Sequence, residues 1–174
     1  MRPSEVFEQA RASAKRVRQI DEELRDLRNR IGVQGYSYGV HSKNGILDPM
    51  RKLIDAMDSE PDLSEERELC LVDVAAAWSL IDGMEHYVRQ MWADADAAQR
   101  DGDIDRSMSL YAEADVADRS VAVITMWGPY AESMQAIARS MHRPIGECKT
   151  MLRAAMSWCD QIGVANLRRH VTYE

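Results

Sequence analysis

The sequence predicts an all-α fold, with a helical or coiled-coil N-terminal body followed by two short C-terminal helices that a tight turn joins. Apolar residues recur three and four positions apart over long stretches, which is the spacing of one helix face. Eleven Met and a single Phe favour adaptable helix packing over a β-sandwich. Gly and Pro separate the periodic stretches, so each stretch is expected to be one helix.

The first stretch predicts a helix that Ser4 caps and Gly32 ends. The charged residues between its apolar positions are interpreted as a solvated, ion-paired face. The glycine-rich residues 32–47 are expected to form a loop. The apolar positions make a heptad seam of Val6, Ala10, Ser13, Val17, Ile20, Leu24, Leu27 and Ile31.

Pro61 is expected to end a short helix over residues 48–59, and Asp62 with Glu65 forms a capping-box-like start for the longest helix, over 62–99. Either seam can pack on the other as an antiparallel hairpin or pair with a copy from another subunit, and the sequence leaves both arrangements open. We therefore expect residues 1–100 to be an assembly region. The second seam consists of Cys70, Val74, Ala77, Ile81, Met84, Val88, Met91, Ala95 and Ala98.

Three shorter helices are predicted in residues 101–174. The first runs from Ile104 to Trp127, where Gly128-Pro129 stops it. The second is capped by Ser133 and ends before residues 142–144. The third begins at Pro144 or Ile145 and ends at Gly163, with 167–174 expected to be a tail.

The last two helices carry a distinct apolar face and a distinct polar face. Met134, Ile137, Ala138 and Met141 share one face of the earlier helix. In the later helix the expected buried positions are Cys148, Leu152, Ala155 and Cys159, while Gly146, Glu147, Lys149, Thr150 and Arg153 point outward. Such a short, mostly cationic face is what a helix in the DNA major groove needs.

These residues resemble the fourth region of bacterial sigma factors and the related helix-turn-helix of phage and prophage transcription regulators. In that pattern Ser133 corresponds to the cap, Ile137-Ala138 to the Ile-Ala pair, and Lys149 to the basic residue. Met141 corresponds to the Leu of the pattern, Cys148 to its buried Val and Ala155-Met156 to its terminal Ala-Leu pair. The chain departs from the pattern at Ala136, His142 and Pro144, where the family has Glu, Gly and a Ser or Thr cap.

The resemblance implies that residues 101–174 are a helix-turn-helix DNA-binding region of a sequence-specific transcription regulator. Double-stranded DNA is then the expected partner, RNA polymerase is a candidate partner, and the heptad helices can form a homodimer that meets two half-sites. In this reading Lys149 and Thr150 contact base edges, Ile145 touches a thymine methyl and Gly146 allows close approach. Glu147 either accepts from cytosine or pairs with a basic neighbour. The phosphate contacts are assigned to Arg139, Arg143 and Arg153.

Charge and composition limit the other function classes. The net charge of −7 argues against a general nucleic-acid coat, yet the stretch from Arg139 to Glu174 has six Lys or Arg side chains against three carboxylates. No long apolar run or leader is present in the sequence, so we expect a soluble cytoplasmic protein.

No catalytic or cofactor site is expected. The four histidines are far apart in sequence, and no nucleophile or carboxylate lies at a motif spacing from one of them. The three cysteines fall on apolar faces and are interpreted as core thiols, which disfavours a metal site at His142, Cys148 and Cys159. The alternative to a DNA reader is a non-enzymatic helical adaptor or scaffold whose helix-turn-helix is degenerate and whose acidic middle binds protein.

Overall fold

The computed structural model describes the backbone of residues 1–35 and 47–168 and the side chains of residues 1–29 and 58–168. Every element in these ranges is an α-helix, which confirms the all-α class. None of the described helices has both the length and the apolarity that crossing a bilayer requires. The six helices are α1 (Pro3–Gly35), α2 (Leu47–Arg100), α3 (Ile104–Trp127), α4 (Met134–Ser140), α5 (Ile145–Ile162) and α6 (Val164–Arg168).

Two predicted interruptions are wrong, because the helices continue through them. α1 passes Gly32 and ends at Gly35, since a glycine lowers helix stability by only about 1 kcal/mol relative to Ala. α2 passes Pro61, even though a proline has no backbone N–H to donate within the helix. The rest of the expected loop, residues 36–46, lies outside the described residues.

The chain divides into two compact units, one of which comprises Lys15–Val72. Here the α1 and α2 segments are joined by ion pairs of Arg16 with Glu66 at 2.6 Å and of Arg28 with Glu60 at 2.9 Å. Residues later in α1 thus meet residues earlier in α2, so the two segments run antiparallel, as the hairpin alternative predicted. Arg16 donates to both carboxylate oxygens of Glu66, and these hydrogen bonds lower the pKa of Glu66 below its ordinary value.

The other unit comprises Met1–Ala14 and Asp73–Glu174. Within it α3 packs on α4 and α5, and α5 packs on α4 and α6. The functional boundary expected near residue 100 lies inside this unit and stays a prediction. Its main core draws on five helices, through Val6, Phe7, Ala10, Ala77, Leu80, Ile81, Met84, Val88, Ala117, Val121, Ile124, Ala155, Cys159 and Leu167.

The expected tail is wrong for Leu167, which belongs to α6 and is fully buried. α6 approaches α2 so closely that a Cβ at Gly83 would lie 2.1 Å from the Leu167 carbonyl oxygen. Only glycine leaves room for this backbone contact. Residues 169–174 lie outside the described residues.

The start of α1 is fixed by α5 rather than by its own cap. The helix begins at Pro3, so Ser4 is not the cap that the sequence predicted. Instead the Ser4 backbone N–H and Oγ both donate to the carboxylate of Asp160, at 2.9 and 2.7 Å. Asp160 thereby accepts from one of the α1 amides that have no partner inside the helix.

Arg11 of α1 forms hydrogen bonds to the connection between α3 and α4. Its guanidinium donates to the carbonyl oxygens of Trp127 and Glu132 and lies 4.8 Å from the centroid of the Trp127 ring. The connection contains Ala131 with φ of 49°, a left-handed conformation that a non-glycine residue rarely adopts. These contacts attach the start of α4 to the core of its own unit.

Candidate nucleic-acid interface

α4 begins as the sequence predicted. The Oγ of Ser133 accepts a hydrogen bond from the backbone N–H of Ala136 at 3.1 Å, which confirms Ser133 as the cap. Ile137 and Ala138 are buried together with Val123 of α3 and Cys148 of α5. This small second core sets how α4 lies on α5.

The turn between α4 and α5 has the hydrogen bonds of a Schellman motif. His142 has φ of 53°, its N–H donates to the Arg139 carbonyl at 3.3 Å, and the Arg143 N–H donates to the Ala138 carbonyl at 3.0 Å. The residue at this left-handed position is usually glycine, but here the backbone of His142 adopts the conformation that the turn requires. The turn ends at Pro144, directly before the first residue of α5.

The amino end of α5 points away from the core. The Pro144 carbonyl accepts from the Cys148 N–H at 3.1 Å, but Pro144 has no side chain that can cap the first amides. A Cβ at Gly146 would meet no atom within 4 Å. The surface of a binding partner can therefore come close to the backbone of the first turn of α5.

Three of the four positions predicted to be buried in α5 are fully buried, namely Cys148, Ala155 and Cys159, and Leu152 is half-buried. The Cys159 thiol donates to the Met84 sulfur at 3.3 Å. Burial raises the pKa of Cys159 to about 12. All three cysteines are free thiols, and in the described part of the chain no three His, Cys, Asp or Glu side chains are grouped so as to hold a metal.

The predicted contact residues are all solvent-exposed. Along α5 the spacing of Gly146, Lys149, Thr150 and Arg153 is three and four residues, which places them on one side of the helix. The exposed set comprises Arg139 at the end of α4, Arg143 in the turn, and Ile145, Gly146, Lys149, Thr150 and Arg153 in α5.

Four of these residues are cationic, and one of the four forms an ion pair with the neighbouring carboxylate of Glu147. Glu147 accepts a hydrogen bond from Arg143 at 3.1 Å, so of the two roles left open for Glu147 the structure has the pair with a basic neighbour. An exposed pair of this kind contributes only about 0.3–0.5 kcal/mol, so a phosphate can compete for the guanidinium.

The polar side chains of α5 are partly engaged with the helix itself. Thr150 Oγ1 donates to the Gly146 carbonyl at 3.1 Å, and Arg153 Nε donates to the Lys149 carbonyl at 3.3 Å. Arg153 Nη2 also donates to Thr150 Oγ1 at 3.5 Å. The Thr150 hydroxyl has a second lone pair that can accept from an amino group on a base edge, and the other donors of the Arg153 guanidinium remain for a phosphate.

Packing adds residues that the sequence analysis did not select. An open groove between α4 and α5 is lined by Gln135 and His142 as well as by Arg139 and Arg143. Gln135 lies four residues before Arg139, so helical periodicity alone would have found it. Arg119 of α3, whose guanidinium pairs with Asp115, lines a second groove together with Thr150, and no local sequence signal predicts that the two residues share it.

Comparison of the chain with protein-family models, with curated proteins and with solved structures gives no match.

Proposed function

We propose that this protein is a sequence-specific DNA-binding transcription regulator in which α4, the turn and α5 act as a helix-turn-helix. The observation that supports this most is the exposed face of α5, which holds Gly146, Lys149, Thr150 and Arg153 opposite a fully buried apolar face. The Ser133 cap and the left-handed turn at His142 add to the likeness to the sigma-region-four pattern. That likeness suggests a phage- or prophage-type regulator and RNA polymerase as a protein partner.

In the proposed complex α5 lies in the major groove with its amino end toward the bases. Lys149 donates to acceptors on a guanine edge, Thr150 bonds a base edge, and Ile145 contacts a thymine methyl. Arg139, Arg143 and Arg153 hold phosphates on either side of the groove. Because Gly146 has no side chain, the backbone of α5 can lie close to the floor of the major groove.

The number of phosphate contacts sets the expected salt dependence. Neutralising three phosphates gives a slope of log affinity against log salt of about −2.7, which is a loss of roughly 40-fold between about 50 and 200 mM. The three phosphate contacts are those of Arg139, Arg143 and Arg153. The rest of the chain is acidic overall, so we expect this face to supply most of the favourable electrostatic contribution.

The test compares wild type with the double variant Lys149→Ala, Arg153→Ala by fluorescence anisotropy on duplex DNA at several salt concentrations. The double variant is expected to bind more weakly, to lose sequence discrimination through Lys149, and to reduce the steepness of the slope by about 1 through Arg153. A matched control, Arg89→Ala, Arg100→Ala, removes two exposed cations from α2 and is expected to bind as wild type does. Equal loss in both double variants would indicate that net charge, rather than the α5 face, drives binding.

A helical adaptor is the second candidate function, favoured by the acidity of the middle of the chain. Residues 94–118 contain eight Asp or Glu against two Arg, a composition that suits a basic protein partner. An adaptor would show no duplex binding that falls steeply with salt, and neither double variant would differ from wild type.

A further inference from the structure

His142 occupies a backbone conformation that favours glycine. Its φ of 53° lies in the left-handed region, and the residue is exposed in the turn between α4 and α5. Glycine adopts this conformation without a steric cost, so a side chain at this position lowers stability. Residues held in such conformations cluster at functional sites. The imidazole of His142 is therefore a candidate for a role in binding rather than in folding.

The groove between α4 and α5 brings His142 together with two arginines. Arg139 lines this groove from the end of α4 and Arg143 from the turn. Gln135 adds an amide that can donate a hydrogen bond. The groove is open to solvent and about 990 Å³ in volume, so a phosphate group of a DNA strand has room to enter.

The charges that face His142 in this groove are positive. Of the described residues that line the groove, none is acidic, and the charged ones are Arg139 and Arg143. Glu147 of α5 accepts a hydrogen bond from Arg143 at 3.1 Å, but it lines the other groove, between α3 and α5. α3 packs on α4 yet contributes none of the described lining residues. The groove therefore attracts an anion.

Histidine differs from the two arginines because its charge depends on pH. Arginine stays charged in proteins, whereas a histidine ordinarily changes its charge between about pH 5 and 8. A phosphate held by Arg139 and Arg143 places a negative charge beside the imidazole of His142, which favours the charged form of the ring. The charged ring can then donate a hydrogen bond to a phosphate oxygen. DNA binding takes up a proton in this way, so affinity rises as pH falls.

We propose that the groove between α4 and α5 holds a backbone phosphate of duplex DNA and that His142 is a pH-dependent ligand of this phosphate. This role of His142 rests on the proposed DNA-binding function and adds a fourth cationic contact to those of Arg139, Arg143 and Arg153. Glycine, the usual residue at this position of the turn, could not supply such a contact.

The fourth contact changes both the affinity and its salt dependence. Each phosphate contact adds about −0.9 to the slope of log affinity against log salt, so the slope steepens from about −2.7 at about pH 8 to about −3.6 at about pH 6. Between about 1 M and about 0.15 M salt, a slope of about −0.9 corresponds to a roughly fivefold gain in affinity. We therefore expect wild type at about 0.15 M salt to bind duplex DNA roughly fivefold more tightly at the lower pH.

Fluorescence anisotropy of the full chain on one fixed DNA duplex, at both pH values and several salt concentrations, is the test. Carboxylates ordinarily titrate below about pH 6, so they keep their charge across this window. His142→Asn, whose side chain tolerates the left-handed conformation, is expected to show the same affinity and slope at both pH values. His142→Lys is charged at both, so it is expected to be independent of pH and to bind roughly fivefold more tightly than His142→Asn.

His86→Gln is the matched control, because it removes a half-buried histidine of α2 that does not line the groove. It is expected to retain the pH dependence of wild type. Circular dichroism at both pH values checks that every variant keeps its helix content. A pH response that His142→Asn retains, or that His86→Gln abolishes, would overturn the role of His142.

The outcomes separate this role from the proposed function. If wild type binds with the same affinity at both pH values while Lys149→Ala, Arg153→Ala binds more weakly than wild type, DNA binding stands and the role of His142 is wrong. If wild type binds no duplex at either pH, even at low salt, the proposed function is wrong and the role of His142 fails with it.

Discussion

Replacing Gly83 by alanine is expected to destabilise the unit formed by Met1–Ala14 and Asp73–Glu174. The new Cβ would lie 2.1 Å from the carbonyl oxygen and 2.7 Å from the carbonyl carbon of Leu167, although real Cβ contacts are essentially never below 3.0 Å. The obstructing atoms are backbone, so no side-chain rotation relieves the clash. α6 must move by about 1 Å or leave its site.

Both responses have a similar cost. Overpacking of a well-packed interior costs about 1–3 kcal/mol, and exposing the fully buried Leu167 side chain costs about 1.5–3 kcal/mol. The higher helix propensity of alanine returns up to about 1 kcal/mol. The free energy of unfolding should therefore fall by about 1–2 kcal/mol.

Gly146→Ala is the matched control, because this glycine also lies in a helix but its added Cβ meets nothing within 4 Å. It is expected to raise the free energy of unfolding by up to about 1 kcal/mol. Urea denaturation followed by tryptophan fluorescence measures both variants, since all four tryptophans lie in this unit: Trp78, Trp92, Trp127 and Trp158. A Gly83→Ala protein as stable as wild type would refute the docking of α6 on α2.

Three further predictions concern the turn, the thiols and the start of α1. His142→Gly is expected to raise the free energy of unfolding by up to about 1 kcal/mol, because φ of 53° is unfavourable for a residue with a side chain. Urea denaturation measures the change, and unchanged or lower stability would argue against the left-handed turn. In the native protein at pH 8 a thiol reagent should modify the half-buried Cys70 but neither of the buried thiols, Cys148 and Cys159. Mass spectrometry detects the labelled sites, and rapid labelling of all three cysteines would contradict the described core. Asp160→Ala should lower the free energy of unfolding by about 1–2 kcal/mol through loss of two hydrogen bonds from Ser4, and Ser4→Ala should then add little in the double variant.

The bounds of α3, the start of α4 and the end of α5 were predictable from local chemistry in the sequence, unlike those of α1 and α2. The span of α3, from Ile104 to Trp127, follows from apolar spacing and from Gly128-Pro129, and the structure has the same bounds. The start of α4 follows from the short range over which the Ser133 hydroxyl reaches an amide of the next turn. The end of α5 follows from Gly163, with φ of 81°.

Contacts between distant residues were not predictable in the same way. Nothing near Leu167 indicates that it is buried, because its site is created by Gly83 on another helix. Asp160 looks like a surface residue of α5 until α1 reaches it. Pro61 lies inside a helix because a proline weakens a helix without obliging it to end there.

The same division holds for the candidate interface. The exposure of Lys149, Thr150 and Arg153 follows from the helical period once Cys148 is taken as buried. The position of Arg119 beside Thr150 depends on the packing of α3 against α5, which one sequence does not encode in any local pattern.

Selection from a pool of random duplex DNA tests the proposed function most directly. Wild type and Lys149→Ala, Arg153→Ala would each be incubated with the pool at low and moderate salt, and the retained duplexes would be sequenced. We expect wild type to enrich a defined sequence motif that the double variant fails to enrich, because removing a base contact at Lys149 costs about 1–3 kcal/mol of discrimination. No enrichment at either salt concentration, with wild type and variant alike, would contradict sequence-specific DNA recognition and favour the helical adaptor.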